Sequence, residues 1–227
     1  MKLAAPLILV VLVSGGWAVE KHARSGNERA LSAVASELAG RPVRVRCESF
    51  WHALVNVDGN LGDVPFPNGR AASYTHVTRG MCKKLARFRN RPERPELACL
   101  AEFDWSRFAA GGDPAATACS ERADDMAEAL ITLTHESMHL RGWADEAVAQ
   151  CYALQEVAFT VERLGGSHQE GAAVASYLLS LQAFMPTDYQ SSDCAAGRSL
   201  DLHPGTESFP AEDQPSPLPA GLYGPEL

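Results

Sequence analysis

Between Ser120 and Arg141 the chain contains neither glycine nor proline, and Met126, Leu130, Leu133 or Thr134, and Met138 recur at intervals of three to four residues. That period predicts a long amphipathic helix that opens near Glu121 and ends at Gly142. A second helix is expected from about Asp145 to Leu164, stopped by Gly165 and Gly166. A third begins at Ser167, where Ser167 and Glu170 have the spacing of a capping box, and ends before Pro186. Upstream, Asn27 to Leu38 reads as a short helix closed by Gly40. Pro42 to Cys47 (PVRVRC) and Ser73 to Thr78 (SYTHVT) alternate as strands do. Between them Asn56 to Arg70 is rich in turn residues and reads as a loop. A basic helical piece near Cys82 to Arg89 is cut off by Pro92 and Pro95. The expected class is therefore α+β and helix-rich, with a small sheet.

Composition narrows the picture. A chain of 227 residues, 46% hydrophobic, can bury one ordinary core. The net charge of −8, from 28 acidic against 20 basic residues, argues against nucleic acid and anionic lipid as partners. Residues 1–18 read as a secretory signal peptide: Lys2, an apolar run from Leu3 to Val13, then Gly16 and Ala18 placed for cleavage. The competing reading is an uncleaved N-terminal anchor. Both export the remainder: a domain over 19–202, secreted or held at the outer face of the membrane, and a proline-rich tail over 203–227 expected to be extended or disordered. Export implies that Cys47, Cys82, Cys99, Cys119, Cys151 and Cys194 form three disulfides. Their pairing is not deducible from spacing, and Cys151 with Cys194 is the one pair put forward.

The chemistry lies in THESMHLRGWADE, Thr134 to Glu146. His135 and His139, at i and i+4 on the predicted helix, stand one above the other and can reach a single ion. Glu136 lies about 100° around the helix, where it can receive a proton from water held on that ion. Zinc suits such a pair: it lowers the pKa of its water and polarises a carbonyl.

HESMH resembles the active-site helix of the zincin metallopeptidases, over about fifteen to thirty residues of the chain. The run HESMHLRGWADEAVAQCYALQ is also similar to small secreted bacterial proteins that carry an uncharacterised HExxH domain. The resemblance implies a zincin-like fold, His135 and His139 as zinc ligands, and Glu136 as general base. It leaves two choices for the third ligand. HESMHLRGWAD fits the metzincin spacing with Asp145 as ligand and Gly142 as the turn, without an evident methionine turn. The gluzincin pattern would use Glu146, with Gln150 in the supporting position that an acid usually fills, after an unusually short spacer.

Helix phase bears on that choice. Ala147, Cys151, Leu154, Ala158 and Val161 point one way; Glu146 falls about 100° and Gln150 about 60° from that direction, and Asp145 nearly opposite. Glu146 is the favoured ligand, Gln150 the partner that orients a histidine, and Asp145 an N-cap. His52, His76, His168 and His203 read as surface or turn histidines. By the same resemblance Tyr189 would donate to an oxyanion; the strand over Ser73 to Thr78 reads either as one that pairs with an extended substrate or as an ordinary core strand.

The expected function is a secreted Zn2+-dependent metallopeptidase acting on protein or peptide substrates. The alternative is a non-catalytic exported zincin-like binding module with a structural metal or none, and a metal-dependent hydrolase of cell-wall amides is a further rival.

Overall fold

A computed structural model of the protein describes residues 24–49, 61–90, 96–102, 119, 121–206 and 209. The proposed signal peptide, His52, Pro92, Pro95 and nearly all of the tail lie outside the described residues. The elements are helix α1 over residues 24–39, strand β1 (Arg44–Cys47), strand β2 (Gly62–Asp63), strand β3 (Tyr74–Val77) and helix α2 (Arg79–Arg89). Helices α3 (Glu121–Arg141), α4 (Glu146–Arg163) and α5 (His168–Leu181) follow. The molecule is α+β and helix-rich, as the periodicity predicts.

The sheet runs β1-β3-β2, with β1 parallel and β2 antiparallel to β3. β2 corrects the reading of Asn56 to Arg70 as loop throughout. Only two residues pair, too few to produce any alternation, and they sit amid turn formers. The outer edge of β1 is covered by α1, whose Glu28, Ser32 and Ser36 lie one turn apart. Ser36 Oγ accepts from the Val43 amide (3.0 Å), Ser32 Oγ from Val45 (2.9 Å) and Glu28 Oε1 from Cys47 (2.9 Å). A row of backbone donors that would template a foreign strand is thereby satisfied within the chain.

The sheet packs on one side of α3, and α4 on another. From Thr132 to Leu140 every residue of α3 is buried, so the helix is surrounded rather than merely amphipathic. Its internal hydroxyls bond back into the helix or across to α4. Ser137 donates to Leu133 O (2.7 Å), Thr134 to Leu130 O (2.8 Å), and the Thr134 and Thr160 hydroxyls lie 2.7 Å apart. Arg41 fixes the end of α3 against the sheet: its Nη2 donates to Leu140 O (2.6 Å) and Ala72 O (2.7 Å). A guanidinium on the last carbonyls of a helix also meets the negative end of its dipole.

The stops and starts follow the predicted chemistry. Ser167 and Glu170 form a complete capping box at α5, and Asp145 Oδ1 accepts from the Val148 amide (3.0 Å) as the N-cap of α4. Three disulfides join Cys47 to Cys82, Cys99 to Cys119 and Cys151 to Cys194. They fit an oxidising compartment. Among the described residues no helix is long and apolar enough to cross a membrane.

Candidate metal centre

The end of α3 builds the site. Gly142 closes the helix with φ +121°, and the amides of Gly142 and Trp143 bond back to His139 O (2.9 Å) and Met138 O (3.3 Å). This paired arrangement is a Schellman motif, and the positive φ explains glycine at that position. The turn brings the Trp143 carbonyl back onto the helix, where His139 Nδ1 donates to it at 2.6 Å. One residue after Ala144 comes Asp145, whose cap starts α4 at an angle that aims Glu146 and Gln150 at the histidines.

His135, His139 and Glu146 present one ligand atom each, all within 4.8 Å of one another, a group that can hold a metal ion. Glu146 Oε2 lies 3.0 Å from His135 Nε2 and 3.3 Å from His139 Nε2. The other ring nitrogens are engaged: His135 Nδ1 donates to Gln150 Oε1 at 3.0 Å, and His139 Nδ1 to the Trp143 carbonyl. In neutral imidazoles this assignment leaves both Nε2 atoms unprotonated. Two nitrogen lone pairs and a carboxylate oxygen then converge on one point, which is repulsive unless a cation or protons lie between them. Burial, reinforced by neighbouring His135, pushes the His139 imidazole below its ordinary pKa. Hydrogen bonding to His135 pulls the Glu146 carboxyl down, against its partial burial. Both shifts favour the ligand forms, a neutral ring and an ionised carboxylate.

Glu136 points away from that group toward the sheet. It is 5% exposed, and Thr75 Oγ1 donates to its Oε2 at 3.2 Å. β2 crosses directly above it. A Cβ on Gly62 would stand 2.7 Å from the Glu136 carboxyl, so any larger residue there requires that side chain to move. Burial pushes the Glu136 carboxyl up to about 8, with the charges of Asp63 and Glu146 adding to the rise and Thr75 opposing it. A cation at the neighbouring group acts in the opposite sense and favours the ionised base.

These residues floor a cleft of about 880 Å³. Phe66 contacts the His139 ring edge-on, with centroids 6.0 Å apart, and Tyr189 lies over His135 at 5.6 Å. Burial first, then the charges of Glu146 and Glu136, raise the pKa of the Tyr189 hydroxyl. Asp145 is the cap of α4 and does not join the group. His76, half-buried, faces Asp63 at 3.8 Å, and exposed His168 pairs with Glu162 at 2.7 Å; neither lines the cleft. His203 lies in a turn, its carbonyl accepting from Thr206. Sequence reasoning did not reach Gly62, Thr75 or the Trp143 carbonyl. The first two contact Glu136 from more than sixty positions away, and a carbonyl carries no residue signature.

No family model, curated protein or solved structure matches this chain. What the site can do is therefore read from its own atoms.

Proposed function

We propose that the protein is an exported zinc metallopeptidase. The observation that carries this reading is the convergence of His135 Nε2, His139 Nε2 and Glu146 Oε2, with both Nδ1 atoms tied back, beside a buried carboxylate. Two imidazoles and a carboxylate are a catalytic rather than a closed structural zinc set, since three protein ligands leave a position for water. Bonds of about 2.0–2.2 Å to such ligands place them about 3.3–3.6 Å apart in a tetrahedron, slightly wider than the spacings of 3.0 and 3.3 Å seen here.

When bound, zinc supplies Lewis acidity, lowering the pKa of water and polarising the scissile carbonyl. The protein's residues do the rest. Gln150 and Trp143 fix the two rings with Nε2 outward. Glu136, dry and held by Thr75, takes the proton of the attacking water and returns it to the departing amine. Tyr189 stands at the same rim with a hydroxyl to donate to charge developing on the carbonyl oxygen. The disulfides support export.

The decisive test is Glu136→Gln. This variant is expected to keep one equivalent of zinc by metal analysis and to lose at least about 10²-fold of peptidase activity on an unfolded protein substrate. Chelation of the unaltered protein should abolish the same activity. Activity equal to that of the parent would overturn the proposed role of Glu136.

A further inference from the structure

One face of α3 does more than carry ligands. Asp124, Glu128, Ile131 and His135 recur at intervals of four, three and four residues, so they form one stripe, and all four line the cleft. Tyr177, Leu178 and Leu181 of α5 make the facing wall, and the Tyr177 hydroxyl is hydrogen-bonded to Asp124. The cleft therefore runs along α3, away from the histidines, between an apolar wall and a row of carboxylates.

The charge of the lining is one-sided. Asp63, Glu146 and Asp188 surround the metal end, Asp124, Asp125 and Glu128 the far end, and no lysine or arginine lines the cleft among the described residues. Lys84 of α2 reaches Asp125 at 3.0 Å and Glu128 at 2.8 Å, yet those carboxylate side chains stay 59% and 46% exposed. They can be approached from the cleft while Lys84 holds them from the other helix. A lysine or arginine side chain matches both features, its methylene stem lying on Ile131, Leu178 and Leu181 and its cation meeting the carboxylates.

Position follows from helix rise. Glu128 precedes His135 by seven residues and Asp125 by ten, about 10 and 15 Å along the axis. An extended chain covers that distance in about three to five residues. We propose that the cleft selects polypeptides bearing lysine or arginine three to five residues from the bond that is cut. This refinement rests on the metallopeptidase reading for the position of the cut, and on the cleft alone for the preference in binding.

The test uses the full chain loaded with zinc. Binding is measured with the Glu136→Gln variant and fluorescent peptides that share a neutral core and carry two lysines or two glutamates at those positions. Cleavage is profiled with the unaltered protein on a mixed peptide library. The lysine peptide should bind about tenfold tighter, the sum of a few exposed charge contacts. That margin should largely vanish near 1 M salt, where the Debye length is about 3 Å. Asp125→Asn combined with Glu128→Gln should narrow the margin, and Lys84→Gln should widen it. Equal affinity for the two peptides, or a margin indifferent to these substitutions, overturns the proposal. Cleavage without charge preference overturns it while leaving the metallopeptidase reading intact. Selective binding without any cleavage supports the cleft preference and overturns the peptidase reading instead.

Discussion

The two flanks of the HESMH run are held in opposite ways. On the α4 side, His135 and His139 are fixed by hydrogen bonds that their Nδ1 atoms donate to acceptors at most fifteen residues distant in sequence, Gln150 Oε1 and the Trp143 carbonyl. On the sheet side, Glu136 is fixed by a hydroxyl 61 residues away and by the close passage of a glycine. In the proposed mechanism the ligands need direction, which hydrogen bonds from the far ring nitrogen provide. The base needs a dry environment and a fixed distance from its neighbours, which close packing supplies. Adjacent residues in one motif thus depend on different forces and should fail in different ways.

The largest separation is expected at Gly62. Alanine there puts a methyl 2.7 Å from the Glu136 carboxyl, and with that side chain only 5% exposed, displacement is the only relief. A shift of about 1 Å in a positioned group costs about 10²-fold in rate. Gly62→Ala should therefore lower kcat by about that factor while zinc affinity, read by competition with a chromogenic chelator, stays within about twofold of the parent, well short of the loss expected when an orienting partner is removed. Loss of zinc in this variant would show that the two flanks are not independent.

Gln150 probes the other flank with an effect of similar or smaller size. Gln150→Ala removes the acceptor that orients His135, and zinc affinity should fall by about 10–100-fold. Activity at saturating zinc should change far less. Gln150→Glu retains an acceptor oxygen and should restore affinity. If alanine and glutamate behave alike, Gln150 only fills space.

The same contrast explains what the sequence made legible. The ligand side was readable because its parts lie on two consecutive helices, where a phase of about 100° per residue relates His135, His139, Glu146 and Gln150 without any tertiary knowledge. Even there the wheel was only a partial guide. α4 is buried on every side from Ala149 to Val157, since α3 and α5 both pack against it, so its apolar stripe marks one of two inward faces. The capping box at Ser167 and the two longer strands were readable for the same local reason. The sheet side was not. β2 is two residues long, and the need for glycine at position 62 arises from Glu136, a contact that no local period encodes. Tyr189 reaches the cleft through a single helical turn, Thr187–Tyr189, beyond α5. Spacing alone could not have set that geometry.

Asp145 and Glu146 give the smallest effect and the sharpest test, because adjacent acids are assigned to unrelated tasks. Asp145 Oδ1 accepts from the Val148 amide at 3.0 Å and leaves its neighbour to face the histidines. Replacing an N-cap aspartate with alanine costs about 1 kcal/mol. In a domain of this size that lowers Tm by about 2–4 °C. Asp145→Ala should show that shift by calorimetry equally with and without zinc, because the cap is made in both states. A ligand behaves otherwise: its loss removes the part of the stability that saturating metal contributes, about 2.7 kcal/mol at a hundredfold excess over Kd. If the Tm of Asp145→Ala differs from the parent only when zinc is present, Asp145 is the third ligand, and the assignment of the two acids must be exchanged.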